Sequence, residues 1–264
     1  AEVADEIFLN RKYNLIGVIV QCSSVNNDLI YFSHLRQIPL YEVSNKLELE
    51  RILVEQFNYE PILLLCGFGI ILGEELLRRV EAYNFHFGKL PDYKGRHPTF
   101  VATLDGRPYI GVTLHIVVAG IDEGQIIAID SIPYGYKKDE NYLFQELPLS
   151  VKRLLDILTE YLEGRIGLIP NVGGGYYPPT NKKDRTFTKD TPICKILRMD
   201  KAQARHNGSI FHFNHQEYRV TDICVKNVSD DWVLIDGVFL KDRVPVALPL
   251  EKSKAIFFRT VTKI

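Results

Sequence analysis

Three polar residues in this chain have the types and spacing that acyl transfer to an amine requires. Asn84 and His86 stand two apart in a short apolar stretch, and Asp122 follows in a loop bounded by Gly120 and Gly124. Side chains two apart on a strand point to the same face. An amide and an imidazole can donate hydrogen bonds to a developing oxyanion, the imidazole can take the amine proton, and a carboxylate can orient the imidazole. We therefore predict that Asn84, His86 and Asp122 are catalytic.

The sequence around these residues resembles a known family. The ordered motifs are Asn84-Phe85-His86, Leu90-Pro91-Asp92-Tyr93-Lys94-Gly95, Gly111-Val112-Thr113-Leu114-His115 and Gly120-Ile121-Asp122-Glu123-Gly124-Gln125-Ile126-Ile127. This set is similar to that of the N10-formyltetrahydrofolate-dependent formyltransferases, from about Leu15 to Tyr177. The resemblance implies an enzyme that uses N10-formyltetrahydrofolate as co-substrate, with direct attack of an amine on the formyl carbon.

A glycine-containing segment follows an apolar run and reads Leu65-Cys66-Gly67-Phe68-Gly69. Its two glycines resemble the start of a dinucleotide fingerprint, but the third glycine is absent at the required spacing, so NAD is not predicted. The sequence also lacks a P-loop motif, so nothing in it supports ATP hydrolysis. The family resemblance implies that backbone groups of residues 65–69, with Ile121 and Gly124 of the Asp122 loop, hold the pterin ring.

The segment Gly95-Arg96-His97-Pro98 bears on the acceptor. The tRNA formyltransferases typically have Ala-Ala-Pro after Arg-Gly, and this departure resembles the branch that formylates amino groups of nucleotide-linked sugars. Further along, aromatic residues stand beside lysines and arginines, as suits a stacked base and a pyrophosphate. We predict acceptor-binding roles for Lys89, Tyr93, Arg96, His97, Tyr176, Tyr177, Arg185 and Phe187.

The predicted acceptor is therefore a dTDP-linked amino-deoxysugar, a precursor of bacterial surface polysaccharide such as O-antigen. Methionyl-tRNA formyltransferase is the alternative, since residues 165–264 carry 17 Lys and Arg against 10 Asp and Glu, and such a surface suits an anionic partner. Nucleic acid is a partner only under this alternative. A glycinamide ribonucleotide formyltransferase fits less well because that enzyme lacks an appended β module. Three intact catalytic residues argue against a non-catalytic relative.

Composition places the chain among globular proteins. It has 264 residues, 46% hydrophobic and 25% charged. No apolar run approaches the roughly 20 residues that span a bilayer, the acidic N-terminus does not resemble a signal peptide, and the four cysteines form no C-x-x-C pair. We expect a cytoplasmic protein with reduced thiols and no membrane contact.

The hydrophobic pattern predicts an α/β fold. Apolar strands alternate with helices, which is typical of a Rossmann-like parallel or mixed sheet with helices on both faces. The predicted helices cover 1–12, 47–57, 72–80 and 141–163, and the strands cover 14–22, 61–66, 83–86, 109–118 and 125–133. The family resemblance implies a further strand before residue 1. We expect a catalytic domain at residues 1–180.

Residues 181–264 are predicted to form a small β-rich module. Short apolar runs lie between turn signals, at 209–213, 217–225, 232–240, 244–248 and 255–261. Their large apolar residues exceed what a thin layer can bury, so we expect a homodimer built with this module. The module's histidines His206, His212 and His215 lack a cysteine or carboxylate at metal-ligand spacing, so no metal site is predicted.

Overall fold

A computed structural model of the chain describes residues 1–58, 61–135, 138–203, 208–242, 244–251 and 253–264. The helices are α1 Glu2–Leu9, α2 Asn27–Arg36, α3 Lys46–Phe57, α4 Glu74–Leu77, α5 Pro98–Leu104, α6 Glu140–Leu162 and α7 Ile193–Ala202. The strands up to residue 178 are β1 Val18–Gln21, β2 Leu40–Val43, β3 Leu63–Cys66, β4 Ala82–His86, β5 Tyr93–Gly95, β6 Tyr109–Ile116, β7 Ile126–Pro133 and β8 Gly175–Tyr177. The remaining strands are β9 Thr186–Phe187, β10 Ser209–Phe213, β11 Gln216–Asn227, β12 Val233–Ile235, β13 Val238–Lys241, β14 Val244–Glu251 and β15 Lys254–Lys263.

The described residues form two compact units. The first contains residues 1–98, 109–133 and 144–178, and the second contains residues 99–108, 134–143 and 179–264. The second unit thus includes two short segments that the sequence interpretation assigned to the catalytic domain. No helix within the described ranges is long and apolar enough to cross a bilayer.

The first unit is built on a mixed sheet, which confirms the predicted α/β class. Its order is β3-β4-β6-β7, with β3 parallel to β4 and the other pairs antiparallel. A separate parallel pair joins β1 to β2, and a second parallel pair joins β5 to β8. The register of β4 on β6 sets Asn84 opposite His115 and His86 opposite Thr113. Polar side chains therefore meet at the end of an apolar sheet.

The helix α3 begins where the sequence predicted. The Asn45 side chain accepts a hydrogen bond from Glu48 N at 3.0 Å, which satisfies a free N–H of the first turn. The buried residues of α3 belong to an apolar core that also includes residues of the strands and of the α4 region. This core consists of Val43, Leu49, Ile52, Leu53, Leu72, Leu76, Val80 and Ala82. The next element along the sequence, α4, is only one turn long, shorter than the predicted helix.

The hydrophobic pattern did not predict α2 or β2. Only Phe32 of α2 is fully buried, while Ile30, Tyr31 and Leu35 are exposed. The helix therefore lacks the apolar stripe from which periodicity detects a helix. Its cap signal was present, because Asn26 accepts a hydrogen bond from Leu29 N at 2.9 Å.

The second unit carries a seven-stranded sheet in the order β12-β13-β14-β15-β11-β10-β9. This confirms the predicted β-rich C-terminal part, although the helix α7 was not predicted. The single run predicted at 232–240 is wrong, since Asp236 and Gly237 adopt positive φ and turn the chain between β12 and β13. The core of this unit consists mainly of Phe187, Ile196, Met199, Phe211, Phe213, Val220, Val238, Ile256 and Phe258.

Candidate functional site

The strand β4 presents Asn84 and His86 on one face of the sheet. His86 is 6% exposed and Asn84 is partly buried, whereas Phe85 between them is buried on the opposite face. Both polar side chains therefore lie at the end of a strand that packing holds in place. The predicted pair is brought together as the period of a strand requires.

The loop between β6 and β7 brings Asp122 to the same place. Asp122 has a φ of 53°, in the left-handed region that asparagine and aspartate tolerate better than most residues. Asn171 Nδ2 donates to Asp122 O at 2.9 Å and to Gly124 O at 2.8 Å, so one amide ties this loop down. A Cβ at residue 124 would stand 1.8 Å from Ile116 O, which explains the glycine there.

One oxygen of Asp122 is the meeting point of three side chains. Asp122 Oδ1 lies 3.4 Å from His86 Nδ1, 3.5 Å from Asn84 Nδ2 and 3.5 Å from His115 Nε2. The other oxygen, Oδ2, accepts a hydrogen bond from Gly95 N at 2.9 Å. We call Asn84, His86, His115 and Asp122 the Asp122 cluster. Two of the three predicted catalytic residues, Asn84 and His86, thus both contact the third, Asp122.

The second nitrogen of His86 is held by the backbone. His86 Nε2 lies 2.6 Å from Tyr93 O. Because a carbonyl oxygen only accepts, Nε2 carries the hydrogen, and in the neutral ring Nδ1 keeps its lone pair. That lone pair faces Asp122. The arrangement can therefore take up a proton at Nδ1 and place the resulting positive charge beside a carboxylate.

The environment changes the pKa of both groups. Burial lowers the pKa of His86 below its ordinary value because desolvation penalises the imidazolium, and the Asp122 charge opposes this shift only in part. Burial acts to raise the pKa of Asp122, but contacts with His115, His86 and Gly95 N–H outweigh it, so the pKa lies below its ordinary value. A neutral imidazole next to an ionised carboxylate is the form that suits a general base.

No role was predicted for His115, the fourth member of the Asp122 cluster. Its side chain is 2% exposed, its Nδ1 lies 2.8 Å from Ile116 O, and its Nε2 lies 3.1 Å from Asn84 Nδ2. The motif Gly111–His115 contributed to the family resemblance, but a single histidine on an apolar strand is usually a satisfied core residue. The antiparallel pairing of β4 with β6 is the signal that could have identified it.

The segment predicted to hold the pterin ring consists of the last two residues of β3 and the start of the loop that follows. Residues 65–69 are partly or fully exposed, and Gly67 has a positive φ of 63°. Gly69 N donates to Gln21 Oε1 at 2.9 Å, so this N–H is already bonded. Of the two residues predicted in the Asp122 loop, Ile121 is exposed and Gly124 is buried. The cofactor roles of these residues stay predictions.

The predicted acceptor residues of the first unit surround β5. Lys89 and Arg96 are exposed, and His97 is partly buried. Pairing of β5 with β8 sets Lys94 opposite Tyr176, which is 54% exposed. We call residues 89–97 the acceptor segment.

Tyr93 differs from the other predicted acceptor residues. Its ring is buried and stacks on Tyr177 with centroids 5.8 Å apart, so it packs the strand pair β5 and β8. At Gly95, φ is 114°, and a Cβ would stand 2.0 Å from Tyr177 O. Only glycine allows this approach of the two strands.

Arg185 and Phe187 belong to the second unit. Phe187 is 1% exposed and stacks on Phe211 with ring centroids 5.2 Å apart. The structure therefore corrects the prediction that Phe187 frames a base, because neither ring face is free. Arg185 is partly exposed, and its acceptor role stays a prediction.

The histidines of the second unit lie apart from any ligand set. His212 and His215 are exposed, and His206 lies outside the described residues. Within the described ranges no three His, Cys, Asp or Glu side chains are grouped as a metal site would need.

Comparison with known proteins finds a family match over part of the chain. Residues 34–148 match the Formyl transferase family. The chain is 34% identical over 137 residues to the methionyl-tRNA formyltransferase of Listeria monocytogenes serotype 4a (strain HCC23), a match that spans 50% of this chain and 44% of that protein. The chain thus spans less than half the length of this curated relative.

Solved structures share the fold at low sequence identity. WlaRD, a sugar 3N-formyl transferase solved in the presence of dTDP and 5-N-formyl-THF, is 18% identical with a TM-score of 0.67, covering 100% of this chain and 93% of WlaRD. HypX from Aquifex aeolicus in complex with tetrahydrofolic acid is 15% identical with a TM-score of 0.67, covering 95% of this chain and 46% of HypX. These two likenesses concern the fold alone.

Proposed function

From the match of residues 34–148 to the Formyl transferase family, we propose that the chain transfers a formyl group from N10-formyltetrahydrofolate to a primary amine. The observation that carries the proposal is the convergence of His86, Asn84 and His115 on Asp122 Oδ1. This cluster supplies a base, a carboxylate beside it and an amide in contact with the carboxylate. Attack of an amine on a formyl carbon needs these groups.

The co-substrate supplies the formyl group. Residues 65–69, with Ile121 and Gly124, would hold its pterin ring. The exposed loop after β3 offers backbone donors and acceptors apart from the bonded Gly69 N–H, which fits a polar heterocycle. Because Ile121 adjoins Asp122 in the sequence, the same pinned loop would hold the ring and present the carboxylate.

His86 acts as the base in this proposal. Its Nε2 hydrogen stays on Tyr93 O, and its Nδ1 takes the proton that the attacking amine loses. Asp122, ionised and 3.4 Å from Nδ1, stabilises the imidazolium that forms. The buried setting strengthens this charge interaction compared with one in water. The proton later returns to the departing nitrogen of the co-substrate.

For the acceptor, we propose a nucleotide-linked amino sugar, with dTDP as the nucleotide. Lys89 and Arg96 are exposed cations that suit a pyrophosphate, and Tyr176 offers an exposed ring to a base. The fold of WlaRD also corresponds to this chain over nearly the whole length of both. The amino group would then enter beside the Asp122 cluster.

A methionyl-tRNA acceptor is the second candidate because of the sequence relatives. The Listeria relative is 34% identical, well above the identity to the sugar enzymes, but the match stops within half of each chain. The excess of positive charge in residues 165–264 suits a tRNA backbone as well as a pyrophosphate.

The deciding experiment compares the two acceptors with one preparation of the protein. Formylation of dTDP-linked 3-amino and 4-amino sugars and of methionyl-tRNA would be measured with N10-formyltetrahydrofolate. We expect activity on an amino sugar only. Binding of tRNA would be tested by salt titration, where a steep log–log slope indicates many phosphate contacts. Formylation of tRNA with such a slope would establish the second candidate.

The homodimer remains a proposal, supported by one surface of the second unit. Val233, Leu234 and Ile235 of the edge strand β12 are all exposed. An apolar edge strand is a template for pairing with another strand. Light scattering at micromolar concentration should give twice the monomer mass, and Leu234→Lys should shift it toward the monomer. A monomeric wild-type protein would contradict the proposal.

A further inference from the structure

The side chain of Asn171 holds the Asp122 loop at two points. Its Nδ2 donates to Asp122 O at 2.9 Å and to Gly124 O at 2.8 Å. A reversed amide would set Asn171 Oδ1 against two carbonyl oxygens, which only accept, so the orientation of the amide is fixed. Oδ1 is buried and has no hydrogen-bond donor in the part of the chain that the structure describes. The amide is therefore bonded to the Asp122 loop and to nothing else described.

A short pairing outside the main sheet places Asn171 beside this loop. Ile126 N donates to Ile169 O at 3.0 Å, and Ile169 N donates to Ile126 O at 2.7 Å, which forms an isolated antiparallel bridge. Ile126 is the first residue of β7 and is 1% exposed, so the bridge is anchored in the core. Asn171 follows this bridge by two residues and is thus held at a fixed place next to the loop.

The main chain of Asp122 needs such support. Its φ of 53° is a left-handed conformation that is unfavourable for a residue with a Cβ. The carboxylate is held separately, because Oδ2 accepts from Gly95 N at 2.9 Å and Oδ1 lies 3.4 Å from His86 Nδ1. The bond from Asn171 to Asp122 O fixes the main chain from which this carboxylate projects.

From these contacts we propose that Asn171 is a positioning residue with two separate effects. Through Asp122 O it keeps the carboxylate beside His86, and through Gly124 O it holds the part of the loop that would contact the co-substrate. The inference rests on the proposed function, which assigns those roles to Asp122 and Gly124. Asn171 itself lies outside residues 34–148, the range that matches the family.

The first test needs no substrate. NMR of the full 15N-labelled chain measures how fast side-chain NH2 hydrogens exchange with solvent, and the Asn171→Leu spectrum assigns the Asn171 signals. We expect both Asn171 hydrogens to exchange at least about tenfold more slowly than those of the exposed Asn27 in the same sample, because a buried bonded amide exchanges only when the structure opens locally. Equal exchange rates would overturn the proposal, whatever substrate the enzyme uses.

Kinetics and binding then measure the two effects. Leucine has the shape of asparagine but donates no hydrogen bond. Asn171→Leu should lower kcat about tenfold to a hundredfold, since small misplacement near reacting groups has effects of that size. The Kd for tetrahydrofolate should rise about threefold to tenfold, and the acceptor KM should stay within about twofold.

Asn27→Leu, at an exposed position of α2, is the matched control and should leave all three constants unchanged. If Asn171→Leu also changes kcat and the Kd for tetrahydrofolate by less than about twofold, the proposal is wrong.

A double-mutant cycle separates positioning from a general loss of structure. If Asn171 acts on kcat through Asp122, Asn171→Leu should lower kcat less than about threefold in an Asp122→Asn background, while the loss of tetrahydrofolate affinity persists. Equal losses of kcat in both backgrounds would overturn the proposal in favour of a structural role.

Thermal unfolding of each variant checks that it folds. If Asn171→Leu is unfolded, Asn171→Ala takes its place, and the exchange rates of the unmutated protein decide whether the amide is bonded. If neither an amino sugar nor tRNA is formylated, the proposed function fails, while the exchange rates still decide whether Asn171 holds the loop.

Discussion

The Asp122 cluster and the acceptor segment adjoin in sequence but hold their polar groups in opposite ways. In the cluster, His86, His115 and Asp122 are each fixed by backbone contacts, to Tyr93 O, Ile116 O and Gly95 N respectively. In the acceptor segment, the charged ends of Lys89 and Arg96 are exposed. Under the proposed function, this difference separates the groups that carry the reaction, which are held in place, from the groups that recognise the acceptor, which are exposed. Preorganised dipoles matter most where charge develops.

The largest effect should come from the cluster itself. His86→Ala and Asn84→Ala are each expected to lose at least about a hundredfold in kcat, with little change in affinity for the co-substrate, since both groups act mainly on charge that develops in the transition state. Steady-state kinetics and titration with tetrahydrofolate measure the two quantities. His212→Ala, on the exposed face of β10, is the matched control. Full turnover in either cluster variant would remove the mechanism.

Substitutions in the acceptor segment should change the KM for the acceptor instead of kcat. Arg96→Ala is expected to raise the KM for a dTDP-linked amino sugar by about tenfold to a hundredfold, since a charge-assisted hydrogen bond contributes roughly 1.5–3 kcal/mol. The co-substrate KM should stay constant. Arg96→Lys should lose less, and Arg51→Ala, an exposed arginine of α3, should have no effect.

If Arg96→Ala leaves the kinetic constants for the dTDP-linked amino sugar unchanged, the proposed difference between the Asp122 cluster and the acceptor segment is wrong. Charge reversals across residues 182–263 that abolish tRNA formylation would then favour the tRNA acceptor.

Substitutions of Tyr176 and Phe187, which were predicted from the sequence to have the same role, should differ in effect because Tyr176 is exposed and Phe187 is buried. Tyr176→Ala is expected to raise the acceptor KM by at least about fivefold, because stacking on a base contributes roughly 1–3 kcal/mol. Phe187→Leu should leave that KM within about twofold and lower the free energy of unfolding by about 1 kcal/mol, as a core substitution does. Urea unfolding and acceptor kinetics on the same samples provide both values. A fivefold rise in KM with Phe187→Leu would show that the ring reaches the nucleotide.

The smallest effect should be a shift in the pH profile. A base must be unprotonated, so kcat/KM should fall as pH drops through the folded-state pKa of His86, which burial places below the ordinary value near 6.5. The Asp122 charge raises this pKa, so the residual activity of Asp122→Asn should have its acid limb at lower pH. Ionisation of the acceptor amine is common to both proteins, and the difference between the profiles isolates His86. An acid limb at higher pH in Asp122→Asn would contradict this assignment.

The sequence predicted which polar residues lie together at the end of β4 better than it predicted the residues that support them. Asn84, His86 and Asp122 were recognisable because residue type and spacing act together at the end of a strand. His115 and Asn171 were not, since each reaches the site through pairing or loop packing that is remote in sequence. A local pattern carries no information on which strands become neighbours.

The fold shows the same limit. Apolar runs in the sequence predict the strands β3, β4, β6 and β7. They do not predict which pairs are parallel or antiparallel, because the composition of a run does not determine the direction of its strand in the sheet. The helix α2 escaped prediction because its apolar residues face outward. Phe187 was misassigned for the reverse reason: basic neighbours suggested exposure, while its place in β9 turns the ring into the core.

The contacts of β5 with the Asp122 cluster have a consequence for divergence within the family. Tyr93 and Gly95 contact His86 and Asp122 through main-chain atoms, a carbonyl and an N–H. Substitution of the neighbouring side chains at 94 and 96 leaves these main-chain groups in the chain. New acceptors could be acquired by substitution at these positions while the reaction is inherited unchanged.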